Sequence, residues 1–283
     1  MCNVNRHTGT GYCLMTDRLK VARAALHMWE EPCISGERGS GAVFFSGCTL
    51  RCVFCQNYKI AAAKVGKYIT VDELADIMLR LQNNQANNIN LVTPTHYAGQ
   101  IAEALIKAKD RGLKIPVVYN TSAYENVDTL KIMDGLVDVY LPDFKYMDGK
   151  LALKYSNAGN YPETAKAALR EMVRQTGTPD MYGDDDTLVR DGYVESGIMK
   201  KGVIVRHLIL PGYTKNDIYI SIMNQYTPLE HVKLYKELCR KVTKKEYDKV
   251  VDYAIDIGVT NAFIQEGGTA KESFIPEFDF TGL

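Results

Sequence analysis

Residues 42–57 read Ala-Val-Phe-Phe-Ser-Gly-Cys-Thr-Leu-Arg-Cys-Val-Phe-Cys-Gln-Asn, an apolar run followed directly by Cys48, Cys52 and Cys55. Cysteine thiolates are the usual ligands of iron–sulfur clusters, so three of them on one loop can hold three irons of a four-iron cluster. The fourth iron then keeps an open coordination position, which is typical of a catalytic metal. The C-x3-C-x2-C spacing therefore predicts a catalytic [4Fe-4S] cluster.

Two other uses of these thiols are a zinc knuckle and a cluster that only transfers electrons. Both normally need a fourth ligand close by. No cysteine or histidine follows Cys55 at C-x2-C or H-x3-H spacing. The sequence thus favours the open cluster.

At these cysteines the chain resembles the radical S-adenosylmethionine (SAM) superfamily. Within it, the resemblance is to an uncharacterised branch similar to pyruvate formate-lyase activating enzymes. It covers most of the chain and rests on the cysteine motif together with the blocks at residues 44–48, 91–96, 119–122, 206–212 and 263–269.

The resemblance implies a fold, cofactors and a reaction. The fold is an α/β partial barrel of parallel strands, and the cofactors are a [4Fe-4S] cluster and SAM. The cluster, reduced by a flavodoxin- or ferredoxin-type protein, would cleave SAM to a 5′-deoxyadenosyl radical that abstracts hydrogen. The expected partner is a glycyl-radical enzyme or another protein substrate. A small-molecule substrate is the alternative, and an iron–sulfur electron carrier or zinc-binding adaptor is the non-enzymatic alternative.

Composition limits the partners and the compartment. Lysine plus arginine and aspartate plus glutamate number 34 each in 283 residues, so bulk electrostatic binding to nucleic acid or to anionic membrane is not expected. Residues 1–7 lack the apolar core of a signal peptide, and no stretch approaches the roughly 20 apolar residues of a membrane span. Seven cysteines, three of them closely spaced, fit a reducing compartment. We expect a cytoplasmic protein.

Short apolar runs alternate with helical patterns, which indicates βα units and a parallel sheet. We predict an N-terminal cysteine-containing extension at residues 1–38 and the partial barrel at 39–283. Strands are predicted at residues 42–46, 89–93, 116–119, 137–141, 203–210, 218–223 and 262–265. Capping boxes predict helix starts at Thr70/Glu73, Ser122/Glu125, Thr227/Glu230 and Thr243/Glu246.

In such barrels the chemistry lies at the carboxyl ends of the strands. The resemblance places Phe54 beside the adenine of SAM, with loop packing as the alternative. Asp143 and Lys145 match a D-x-K element in which the lysine binds a SAM oxygen, unless they are only solvated surface. Arg206 lies in an apolar strand, where it would bind the SAM carboxylate or pair with an acidic side chain.

The chain departs from the broader family after the second strand. Most members carry Gly-Gly-Glu there, whereas this chain has Thr93-Pro94-Thr95-His96. Pro94 lacks a backbone donor, so Thr93 and Thr95 would have to hold the SAM amine. His96 is predicted to be a catalytic residue in substrate binding or proton transfer, or else a satisfied rim residue.

The remaining candidates follow later strands. Asn120 and Thr121 are predicted to bind the ribose or carboxylate of SAM. The weaker candidates for the adenine edge are Asn224, Gln225 and Tyr226. Glu266 follows the last strand, where it would be catalytic or would pair with Arg206.

Three further features of the sequence lead to predictions: the remaining cysteines, one short connection and one aromatic segment. Cys2, Cys13 and Cys33 would bind zinc or a second cluster, or no metal, and we expect no metal. Cys239 is expected to be an inert core thiol. Only residues 211–217 separate two predicted strands. Parallel neighbours need a crossover of about a dozen residues, so either these strands are not parallel neighbours or a helix has been lost; we expect the second. The aromatic segment at residues 274–280 would form a lid or partner site, or fold back as core.

Overall fold

A computed structural model describes residues 4–210, 221–223, 225–256, 263–264 and 276–283. Its strands are β1 Lys20–His27, β2 Ser40–Phe45, β3 Lys67–Tyr68, β4 Ile89–Val92, β5 Val117–Thr121, β6 Val139–Pro142, β7 Asp180–Met181, β8 Met199–Val203, β9 Arg206–Leu208, β10 Ser221–Met223 and β11 Phe263–Ile264. Its helices are α1 Pro32–Ser35, α2 Tyr58–Ala61, α3 Val71–Asn83, α4 Ala98–Asp110, α5 Val127–Lys131, α6 Gly149–Ser156, α7 Tyr161–Thr176, α8 Thr187–Arg190 and α9 Lys244–Asp256.

Eight strands form one sheet in the order β3-β1-β2-β4-β5-β6-β8-β7. The run from β2 through β4, β5 and β6 to β8 is parallel throughout. A second, parallel sheet has the order β11-β10-β9. It meets the first at a parallel bridge between Asp143 and Arg206. Within the described residues the strands do not close into a ring, which confirms the predicted α/β partial barrel.

The predicted strands all overlap observed ones, but the strand predicted at residues 203–210 is interrupted. β8 pairs with β6 up to Tyr140 and Val203, and pairing resumes at Asp143 and Arg206. Pro142 lies between these points and has no N–H to donate to a neighbouring strand. The interruption therefore has a local cause, and it leaves Arg206 beside the end of β6.

β1 was not predicted, because it lies in the segment assigned to the N-terminal extension. It pairs antiparallel with β2, so the extension and the barrel share one sheet. After β1 the chain turns back through α1, whose Cys33 and Ile34 pack against Val118, Val139 and Leu141. These three side chains alternate with Tyr119 and Tyr140, which face the helices in the main core. Helix α1 thus covers the inner face of the sheet.

Two of the four predicted capping boxes are present. Thr70 with Glu73 begins α3, and Thr243 with Glu246 begins α9. The prediction at Ser122/Glu125 is wrong, because Asn126 caps α5 and the Glu125 side chain turns into the protein. The prediction at Thr227/Glu230 is also wrong, since only a single 3-10 turn, Glu230–Val232, forms there.

The structure also bears on the short connection, the aromatic segment and Cys239. β9 and β10 are parallel neighbours, which excludes the first explanation of the short connection. Residues 211–217 themselves lie outside the described residues, so the loss of a helix stays a prediction.

The described part of the aromatic segment folds back, with Phe278 packed against Phe44 at 5.5 Å between ring centroids. Cys239 is exposed and follows a 3-10 turn, so the prediction of a core thiol is wrong.

Candidate functional site

A cavity of about 280 Å³ lies at the carboxyl ends of β2, β4, β5 and β6. Ten of the predicted site residues line it, namely Cys48, Cys52, Phe54, Cys55, Thr93, Asn120, Thr121, Asp143, Lys145 and Arg206. Gln225 lines it as well. Thr95 and His96 do not line it, and Glu266 lies outside the described residues, as do Cys2 and Asn224.

The cysteine loop leaves β2 through Gly47, whose φ of +88° favours glycine. A Cβ at this position would lie 2.7 Å from the Cys13 carbonyl oxygen, so the close approach also requires glycine. The backbone N–H groups of Leu50 and Arg51 point at the Cys48 sulfur, each at 3.4 Å. The backbone of the loop is thus arranged to donate hydrogen bonds to a thiolate.

The three thiols suit a shared metal cluster. Burial raises the pKa of Cys48, Cys52 and Cys55, and the proximity of the other two raises that of Cys55 further. Lys145 opposes this shift at each thiol. Buried thiols that repel one another as thiolates are stabilised when iron replaces their protons. The donor set therefore fits a [4Fe-4S] cluster. Among the described residues no three acidic, histidine or cysteine side chains converge as one metal ion would require, but each thiolate of a cluster binds its own iron.

Next to the thiols lies a network of charged side chains. Lys145 Nζ is 2.8 Å from Asp143 Oδ2, and Arg206 Nε donates to Asp143 Oδ1 at 2.7 Å. Burial opposes ionisation of Asp143, but the charges of Arg206 and Lys145 outweigh it and lower its pKa. Asp143 is therefore an ionised bridge between two cations.

The guanidinium of Arg206 has three partners. Besides Asp143, it donates from Nη1 to Glu30 Oε2 at 2.8 Å and from Nη2 to Asn120 Oδ1 at 2.6 Å. The alternative in which Arg206 pairs with acidic side chains is thus realised, with Glu30 and Asp143 as the partners. Its binding of the SAM carboxylate stays a prediction.

The sequence analysis missed Glu30 and Glu31, which both line the cavity. Glu30 accepts hydrogen bonds from Asn90 and Asn120 as well as from Arg206. Burial raises the pKa of Glu31 to about 7, although Arg206 acts against this. Two adjacent acids between Trp29 and Pro32 were the available signal, but nothing in the sequence shows that this turn covers the inner face of the sheet.

The segment after β4 separates its two threonines. Thr93 lines the cavity with a φ of +61°, a conformation that costs a β-branched residue about 1–3 kcal/mol. Its N–H donates to the Asn120 carbonyl at 2.9 Å, which holds this conformation. The Thr95 hydroxyl instead donates to Glu125 Oε1 at 2.5 Å. Of the two predicted amine-binding threonines, only Thr93 reaches the cavity.

His96 is buried behind the cysteine loop. Its Nε2 lies 2.7 Å from the carbonyl oxygen of Ser46. Burial lowers its pKa to about 4, so the ring is neutral and Nε2 carries the proton that it donates. This geometry fits the alternative of a rim residue that supports the loop, and the catalytic role stays a prediction.

The position of Phe54 is compatible with both of its predicted roles, loop packing and contact with the adenine of SAM. It is buried, with ring contacts to Tyr146 at 6.2 Å and Tyr155 at 6.4 Å between centroids, and it also lines the cavity. Its position beside the adenine stays a prediction.

None of the helices in the described part is both long and apolar enough to span a bilayer.

Comparison with known proteins supports the assignment of the cavity as a cluster site. The chain is 28% identical to an uncharacterised protein of Methanocaldococcus jannaschii over 276 residues, which cover 89% of this chain and 72% of that relative. The family model of the radical SAM superfamily matches residues 42–184, just over half of the chain, including the cysteine loop and the Asp143–Lys145 pair. The chain therefore belongs to the radical SAM superfamily, whose members use a [4Fe-4S] cluster and S-adenosylmethionine for radical chemistry.

Proposed function

We propose that this protein abstracts a hydrogen atom from a glycine of a partner protein and so activates a glycyl-radical enzyme. When bound and reduced, the cluster supplies the electron that cleaves SAM to methionine and the 5′-deoxyadenosyl radical. The observation that carries the proposal is the convergence of three cysteines with the Lys145–Asp143 pair in one cavity. Membership of the superfamily favours an enzyme over an electron carrier or a zinc adaptor.

The residues of the chain have distinct tasks in this proposal. Cys48, Cys52 and Cys55 hold the cluster. Lys145 binds a SAM oxygen as a point charge, and Asp143 holds that lysine in place. Phe54 packs against the adenine.

Asn120 and Thr121 bind the ribose. Both are buried and line the cavity, so their polar groups are shielded from bulk water. Exclusion of water also protects a carbon radical from side reactions.

The mouth of the cavity supports a protein substrate. Trp29 lines the cavity and is 57% exposed, so it lies where the cavity meets solvent. Met28, beside it, is 42% exposed. Exposed large apolar side chains at a site entrance are typical of a surface that receives a partner.

The test is an anaerobic reaction of reconstituted protein, dithionite, SAM and a candidate glycyl-radical enzyme that carries α-deuterated glycine. We expect deuterium in 5′-deoxyadenosine and a glycyl-radical signal in electron paramagnetic resonance. The Cys48→Ala variant is the control and should show neither. Transfer of label only from a small metabolite would refute activation of a glycyl-radical enzyme.

A small-molecule substrate is the second candidate. One observation favours it: the buried carboxyl of Glu31 faces the cavity, and its Oε2 has no hydrogen-bond partner within the described residues. Such a group suits a small polar ligand. A screen of labelled metabolites for deuterium transfer into 5′-deoxyadenosine tests this candidate directly.

A further inference from the structure

Glu30 and Glu31 occupy the same turn between β1 and α1, but they differ in their partners. Glu30 is fully engaged by Arg206, Asn120 and Asn90. The Glu31 side chain is only 8% exposed, lines the cavity, and leaves Oε2 without a hydrogen bond in the described part of the chain. An acceptor in this state costs free energy unless a ligand satisfies it.

Glu31 lies at the end of the charge network that is remote from the cysteines. Lys145 interacts with Cys52, Cys55 and Asp143. Arg206 interacts instead with Asp143, Glu31 and Glu30. The order along the cavity is therefore thiols, Lys145, Asp143, Arg206 and then the two glutamates. A group bound at Glu31 would lie beyond Arg206 and away from the cluster.

This network contains fewer positively charged side chains than carboxyl groups. Lys145 is bound to Asp143, and the guanidinium of Arg206 already donates hydrogen bonds to Asp143 and Glu30. The nearest approach of Arg206 Nη1 to Glu31 Oε2 is 4.0 Å, beyond hydrogen-bond distance. His27 also lines the cavity, but burial lowers its pKa, so its ring is neutral at pH 7. Among the described residues, Glu31 therefore shares Arg206 with Asp143 and Glu30 at the outer limit of ion-pair distance, and it has no counterion of its own.

We propose that Glu31 is a substrate-binding residue that receives a primary ammonium group at the end of the cavity remote from the cysteines. An ammonium group supplies both the missing hydrogen-bond donor and the missing positive charge. It could belong to a free small amine or to a lysine of a partner protein. The inference rests on the proposed hydrogen abstraction, and it names the chemistry of the substrate beside the abstraction site.

The test uses the tryptophan of the cavity. Trp29 is the one tryptophan in the sequence, so its fluorescence reports binding at this site. Reconstituted protein with saturating SAM is titrated anaerobically in two arms. The first arm holds α-amino acid amides and short diamines, each paired with its N-acetyl derivative. The second holds N-acetylated glycine peptides with one lysine, paired with acetyl-lysine counterparts.

We expect saturable binding in one arm and a loss of at least tenfold in affinity on acetylation. Glu31→Gln should weaken that binding by tenfold or more, as expected for a hydrogen bond between charged groups. The matched control is Glu37→Gln, which removes the same charge from an exposed position six residues along the chain and should bind like wild type. If Glu31→Gln loses iron or folds poorly, Glu31→Asp keeps the charge, and it should bind the amine more weakly than wild type but still prefer it to the acetylated form.

Equal affinity of wild type and Glu31→Gln for the amine would overturn the inference, as would the absence of binding to wild type in both arms. Binding in the first arm alone assigns a small amine, and binding in the second alone assigns a protein lysine. Cleavage of SAM by the wild-type protein is measured separately. Its failure with intact amine binding would refute the proposed function alone, and the reverse result would refute only the role of Glu31.

Discussion

Replacement of Arg206 by methionine tests whether this side chain is held within an internal ion network. The guanidinium is 11% exposed and donates at 2.6–2.8 Å to Glu30, Asp143 and Asn120. Arg206→Met keeps much of the apolar stem but removes every one of these donors. Two carboxylates then stay buried without their shared cation.

The magnitude follows from this geometry. Removing one partner of a buried ion pair costs about 3–5 kcal/mol, because the other charge is left uncompensated. That is a large part of the roughly 5–15 kcal/mol that stabilises a folded domain. Asp143 keeps Lys145 in this variant, so Glu30 is the carboxylate left without a cation, and the double variant Arg206→Met/Glu30→Gln removes its charge. The amide oxygen can still accept from Asn90 and Asn120, so we expect about 1.5–3 kcal/mol to return.

The assay is equilibrium urea unfolding under anaerobic conditions, followed by circular dichroism. Lys244→Met is the matched control, since Lys244 pairs with Asp248 at 2.7 Å but is 88% exposed. An exposed pair of this kind contributes about 0.3–0.5 kcal/mol. If Arg206→Met were no less stable than Lys244→Met, Arg206 would not be an integral part of the network, and its main role would be toward a ligand.

Three further predictions concern the cluster, the cofactor and pH. Cys48→Ala should lose iron and SAM cleavage, whereas Cys239→Ala, at an exposed thiol, should keep both; full cleavage by Cys48→Ala would contradict the assignment. Lys145→Ala should weaken SAM binding in calorimetry by about 1.5–3 kcal/mol with iron content unchanged, and equal binding would exclude contact with SAM. Burial raises the pKa of Glu125 from 4.5 to about 7, so the folded state favours its protonated form, and stability falls as pH rises through that interval. Urea unfolding at pH 5 and pH 8 should show a loss of about 2.5 kcal/mol from this group, absent in Glu125→Gln; parallel pH profiles would refute it.

Local features of the sequence predicted much of the fold. The order of apolar runs and helical patterns indicated a parallel sheet, and the spacing of the three cysteines indicated the cluster. The capping box at Thr70 and Glu73 formed as expected. Each of these signals lies within a few neighbouring residues, so it can be recognised without knowledge of the distant segments that pack against it.

The capping box expected at Ser122 and Glu125 failed for a tertiary reason. Thr95, after β4, and Thr121, at the end of β5, both donate to Glu125 inside the protein. A pattern of four residues cannot show that a strand 30 positions upstream will supply a competing hydrogen bond.

The partners of Arg206 and the place of Glu31 were likewise decided only by the tertiary structure. Glu30 lies 176 positions from the arginine that it binds, and it reaches it because β1 runs antiparallel to β2 and returns the chain to the inner face of the sheet. The sequence determined which chemical groups the chain carries and which cofactors the cysteines can hold. Which charges face one another in the cavity, and which carboxyl is left for a ligand, depends on the packing of distant segments, because burial sets the cost of an unpaired charge.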